Sequence, residues 1–156
     1  MYNHEPSGYD CPFCHIAKGN EKKTHQSHQA DIFYRDPYIT AFISTVFWPN
    51  NPGNCLIISN KHFENLYDIP EKYLTKISNL SKKVAVAYKK ALHCDGVSTR
   101  QHNEPGGSQE VWHYHLQVFP RYENDNFYVN YKNRRPSTPK ERRTYADKLK
   151  KYLIHV

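Results

Sequence analysis

Apolar and polar positions change period several times along this chain, and each change marks an element. The first ten residues are polar and read as a flexible arm. Cys11, Pro12, Phe13 and Cys14 form a tight knuckle; 15–30 is polar again, with His25 and His28 read as solvated side chains. Ile32, Phe33 and Tyr34 make a short β-run, ended by the turn at Asp36 and Pro37. Residues 38–47 are β-rich, and the Asn, Pro and Gly residues of 49–54 predict a strong turn. Cys55, Leu56, Ile57, Ile58 and Ser59 then read as a buried strand.

A different period follows. Asp68, as N-cap with Glu71 three residues on, opens a helix of about 20 residues in which Tyr73, Leu74, Ile77, Leu80, Val84, Tyr88 and Ala91 recur at helical spacing. That helix needs a sheet to cover its apolar face. Residues 96–99 begin a further strand, 103–109 is a loop with two glycines and a proline, and 111–119 is the next strand, stopped by Pro120. A loop rich in proline and basic residues spans 134–144, and 145–153 is a short closing helix. Strands, one long helix, then strands predict an α+β fold. With 156 residues, the expectation is one domain over 11–156 behind the arm at 1–10.

Composition narrows the class. Thirteen tyrosines argue against disorder, and no apolar run is long enough to cross a bilayer. The N-terminus lacks a basic stretch followed by an apolar one, so a cytoplasmic location is expected by default. The net charge of +7 is uneven: residues 1–120 hold 12 basic and 11 acidic side chains, whereas 121–156 hold 10 and 4. Such a basic tail suits a solvated helix, substrate steering or nucleic-acid binding. Four cysteines without a signal do not suggest a disulfide scaffold.

The densest chemistry is His113, Tyr114, His115, Leu116, Gln117 and Val118. Alternation along a strand puts His113, His115 and Gln117 on one face and the apolar residues on the other. A solvent-facing sheet surface is the bland reading. The functional one makes His115 a nucleophile, base or ligand, beside a loop whose backbone N–H groups and Ser108 hydroxyl suit phosphate oxygens. Cys11 and Cys14 have the spacing of a metal knuckle and equally of a redox pair. Zinc needs two more ligands, for which His62 and His113 are the best candidates; four protein ligands would make that site structural.

Together these segments closely resemble the histidine triad superfamily of nucleotide hydrolases and transferases. The string from His113 to Phe119 matches its alternating histidine signature, with upstream similarity in 41–43, 52–58, Lys61 and His62, and in 103–112. The resemblance implies an antiparallel sheet with a long helix, assembled as a homodimer. It implies that His115 attacks a nucleotide α-phosphate, with His113 beside it, and that Asn103 and Gln109 line the phosphate site. Ile32 and Phe42 would belong to the base pocket. In the Cys-x-x-Cys branch, the equivalents of Cys11, Cys14, His62 and His113 bind zinc.

Three positions depart from the family pattern. Gln117 stands where the third histidine is usual; an amide donates a hydrogen bond to phosphate but cannot shuttle a proton. Ser44 replaces an acidic residue that contacts the ribose, and Glu110 replaces a Ser or Thr near the leaving group. The expected activity is cleavage of a phosphoanhydride or phosphoramidate, with dinucleoside polyphosphates favoured. A phosphorylase using inorganic phosphate and a nucleotide-binding protein with little turnover are the alternatives.

Overall fold

The computed structural model describes residues 2–20 and 27–153, so His25 lies outside the described residues. In chain order the elements are α1 (Pro12–Lys18), β1 (Ile32–Arg35), β2 (Ile39–Ile43), β3 (Val46–Phe47), β4 (Cys55–Ser59), α2 (Glu71–Leu92), β5 (Gly96–Gln101), β6 (His115–Arg121), β7 (Arg135–Pro136) and α3 (Pro139–Leu153). Five strands form one antiparallel sheet in the order β1-β2-β4-β6-β5, and β3 pairs with β7 apart from it. The fold is α+β, as the pattern predicts. Among the described residues, no helix is long and apolar enough to cross a membrane.

Alternation gives the main sheet two different faces. One carries Ile39, Ala41, Ile43, Cys55, Ile57 and Val118, which pack with Tyr73, Ile77, Leu80, Val84 and Tyr88 of α2 and Leu149 of α3. Burying each such aliphatic or aromatic side chain contributes about 1.5–3 kcal/mol. Tyr88 is fully buried, and its hydroxyl donates to the Gly53 carbonyl at 2.8 Å. The opposite face carries the chemistry described below.

Several boundaries differ from the sequence expectation. The β-run at 38–47 breaks at Ser44, whose hydroxyl donates to the Val46 carbonyl and accepts from the Val46 N–H, turning the chain into β3. Asp68 is not the N-cap of α2; Pro70 is, with no side-chain cap. An Asp68 cap would require Ile69 to be helical, and the residue before a proline is sterically kept extended. Strand β6 begins at His115 rather than 111, because Tyr114 N–H is drawn to the Phe63 carbonyl at 2.6 Å. It also runs through Pro120 to Arg121. The missing N–H is tolerated because β4 has already ended opposite Val118.

The closing helix starts at Pro139, six residues earlier than expected. Thr138 Oγ1 accepts from Glu141 N–H at 3.2 Å while the Glu141 carboxylate accepts from Thr138 N–H at 2.8 Å, a capping box with proline in the first turn. Buried Arg142 of this helix donates to Asp31 at 2.8 Å and to the Ser137 carbonyl at 2.8 Å. Ser137 in turn donates from its backbone to Thr45 and from its hydroxyl to the Ser44 carbonyl. This chain of bonds fastens α3 and β7 beside the chemical face.

Candidate active site

Cross-strand pairing assembles the chemical face. Ile32 of β1 pairs with Phe42 of β2, Phe42 with Leu56 of β4, Leu56 with Gln117 of β6, and Gln117 with Arg100 of β5. Directly paired residues share a face, so these five side chains cross the sheet as one row. The row is apolar at its β1 end and cationic at its β5 end. His115, two residues before Gln117, is on the same face. Above the row lies a cavity of about 150 Å³ whose wall includes Phe13, Phe42, Leu56, His115 and Gln117.

His115 is buried and held by defined partners. Its Nδ1 is 2.8 Å from the His113 carbonyl. A carbonyl only accepts, so Nδ1 carries the proton and Nε2 keeps its lone pair. Nε2 is 3.4 Å from the Gln117 side-chain nitrogen. Burial pushes the His115 pKa down to about 4, and neighbouring His113 adds to the depression against the opposing pull of its own carbonyl bond. The ring is therefore neutral at physiological pH, as a nitrogen nucleophile requires. Phe13 stands edge-on to His115, with ring centroids 5.2 Å apart, and helps exclude water.

The two residues of the knuckle meet two distant histidines. One ligand atom from each of Cys11, Cys14, His62 and His113 lies within 4.8 Å of the others. Cys11 Sγ is 3.3 Å and Cys14 Sγ 3.6 Å from His113 Nδ1, and Cys14 Sγ is 3.3 Å from His62 Nδ1. A tetrahedral zinc with ordinary bond lengths separates sulfur and nitrogen ligands by about 3.6 Å. Each histidine points its other nitrogen at an oxygen: His113 Nε2 at the Ser59 carbonyl, 2.9 Å, and His62 Nε2 at Glu5, 2.9 Å. Metal-bound histidines use such partners to fix the ring. The Cys11 thiol, donating to Cys14, holds Cys14 far below the usual thiol range, with His113 and His62 adding to the effect; the same partnership raises Cys11. The cluster could hold a metal ion. It joins α1, the segment after β4 and the entry to β6.

Other expected site residues fall in different places. Phe42, Ser44 and Ser108 line the cavity, although the Ser44 hydroxyl is engaged with Val46. Ile32 packs behind the wall, beside Phe13 and Phe42. Asn103 and Gln109 are not on the wall; they brace the loop. Asn103 Oδ1 accepts from Leu66 N–H, and the Gln109 amide donates to the Glu64 and Val111 carbonyls. The wall includes residues that sequence reasoning passed over: Trp48, Asn54, Arg100, His102, Tyr131 and Arg134. Buried Asn54 has a side-chain oxygen without a protein partner.

Residues 25–124 match the HIT domain family. The chain belongs to that family. A HIT-like protein of Methanocaldococcus jannaschii is 31% identical over 121 residues, covering 78% of this chain and 86% of that one. The adenosine 5'-monophosphoramidase of Saccharomyces cerevisiae is 34% identical over 73 residues, covering 47% of this chain and 44% of the yeast protein. The crystal structure of a zinc-bound histidine triad family protein from Mycobacterium smegmatis superposes with a TM-score of 0.75 at 24% identity, covering 93% and 94% of the two chains. His115 lies within the matched segment, and residues 125–153 lie past its end.

Proposed function

We propose that this HIT protein is a nucleotidyl hydrolase that cleaves phosphoanhydride or phosphoramidate bonds at a nucleotide α-phosphate, with dinucleoside polyphosphates favoured. The observation that carries the reading is the His115 ring: neutral, with Nδ1–H fixed on the His113 carbonyl and Nε2 at the cavity, 3.4 Å from the Gln117 side-chain nitrogen. Nε2 attacks phosphorus, a nitrogen–phosphorus bond forms, and the bond to the leaving group breaks with its electron pair. The His113 carbonyl stabilises the resulting cationic ring through Nδ1–H. The Gln117 amide donates to a phosphate oxygen. Water then attacks phosphorus, the nitrogen–phosphorus bond returns its pair to Nε2, and the proton of water leaves to solvent. The phosphoramidase activity of the yeast relative belongs to the same reaction class.

Phe13, Phe42 and Leu56 offer an apolar base pocket, and Asn54 an acceptor for a hydroxyl. Zinc on Cys11, Cys14, His62 and His113 would be structural, holding β6 in register; the donor set and spacing support that choice. Homodimer assembly is part of the proposal, with β5 an open sheet edge. Phosphate as the second acceptor is the alternative favoured by Gln117, which cannot take the proton of water. The test is incubation with diadenosine tetraphosphate, with and without inorganic phosphate, using His115→Ala as the blank. Products of AMP and ATP indicate water, and ADP and ATP indicate phosphate. Turnover that persists in the blank would overturn the reading.

A further inference from the structure

The cavity has a cationic end that the His115 chemistry does not use. Arg100 and Arg134 lie over the same Trp48 ring, with guanidinium carbons 5.8 and 5.2 Å from its centroid. Arg134 also stacks on Tyr131 at 3.9 Å. All four residues line the cavity that holds His115 and Gln117. Trp48 is buried, yet its indole N–H has no protein partner. Among the described residues no carboxylate pairs with Arg100. Arg134 pairs with Glu110 at 3.7 Å, but Glu110 is 68% exposed in its side chain, and so open a pair is worth little. A second hollow of about 480 Å³ continues outward past Tyr131 and Arg134, where Lys132 adds further positive charge and Arg135 is paired with Glu141 at 2.7 Å.

Order along the row gives this end its meaning. Leu56, Gln117 and Arg100 lie on successive neighbouring strands, so Arg100 is one strand spacing, about 4.8 Å, beyond Gln117 on the side away from the apolar pocket. A nucleotide with its base among Phe13, Phe42 and Leu56 and its α-phosphate at His115 would run its next phosphates toward Arg100. We infer that Arg100, Trp48 and Arg134 form an anion subsite for the polyphosphate part of the leaving group. Guanidinium forks bind phosphate oxygens bidentately, and the indole N–H supplies a further donor. Glu110 holds Arg134 in the free protein and yields it to the incoming anion. Arg134 lies just past the segment that matches the family.

This inference rests on the placement of the α-phosphate at His115, but its test reads binding rather than turnover. In a His115→Ala background, calorimetry with AMP and with ATP gives an affinity ratio. ATP is expected to bind at least 10-fold more tightly than AMP. Arg134→Gln and Arg100→Gln should each cut that ratio 3- to 10-fold, Arg134→Lys should keep more of it than Arg134→Gln, and Glu110→Gln should raise it 2- to 5-fold. Thermal melts identify any variant that fails to fold; Glu110→Gln, at an exposed position, keeps the test standing in that case. A ratio near 1 in the His115→Ala protein, equal losses for AMP and ATP, or a ratio lowered by Glu110→Gln would each overturn the subsite. Failure of the catalytic reading shows separately, as undiminished turnover in the His115→Ala protein.

Discussion

Replacing Asp31 by Ala breaks a buried ion pair from one side. The Arg142 side chain is 3% exposed and that of Asp31 1%, and the two meet at 2.8 Å. The hydrogen bond from Arg142 to Ser137 remains. Breaking a buried pair from one side costs about 3–5 kcal/mol. For a chain of this size about 2–4 °C of Tm accompany each kcal/mol, which predicts a fall of about 6–20 °C. Urea denaturation should show a lower midpoint with an unchanged slope. The double variant Asp31→Leu with Arg142→Met should cost less than Asp31→Ala alone, since no charge is left behind. A single-variant loss below about 1 kcal/mol would refute the reasoning, as would a double variant less stable than the single one.

Gly53 has φ +88 and an added Cβ would strike the Tyr145 ring, so Gly53→Ala should destabilise by at least about 2 kcal/mol in a denaturant titration. The Asp125 carboxylate is held well below its usual range by Arg121, with Asn51 and the Tyr122 and Phe127 N–H groups assisting. Its folded pKa lies below the unfolded value of about 3.9, so its contribution is complete above that value and declines as pH falls below about 4. Melting curves between pH 5 and about 2 should show a shallower decline in Asp125→Asn. The zinc proposal predicts about one zinc per chain by atomic absorption, lost in Cys14→Ser with a drop in Tm; a metal-free wild-type protein of unchanged Tm would contradict it.

Period and turn chemistry made much of the fold legible. The run from Cys55 to Ser59 set the bounds of β4, and helical spacing located α2 to within a few residues. The cluster of Cys11, Cys14, His62 and His113 was readable because the Cys-x-x-Cys spacing is chemically distinctive. Orientation inside the loop at 103–109 was not. The positive φ angles fall on Glu104 and Ser108 rather than on Gly106 or Gly107, and the resulting turn sends Asn103 and Gln109 into bracing bonds. Arg100 was hidden in β5, where polar residues occupy both faces and alternation carries little contrast. Arg134 and the start of α3 sat in a stretch rich in proline and charge that reads as loop. The Thr138 and Glu141 capping signal was present there, and only its setting obscured it.

The central claim is a covalent bond between His115 and the nucleotide. Its most direct test is to mix the protein with diadenosine tetraphosphate, denature it in alkali within the first turnovers, and weigh the digested peptides by mass spectrometry; nitrogen–phosphorus bonds to histidine survive base. A nucleotidyl group is expected on the peptide containing His115, absent from His115→Ala. Steady turnover with that peptide unmodified, or with the nucleotidyl group on another residue, would contradict it.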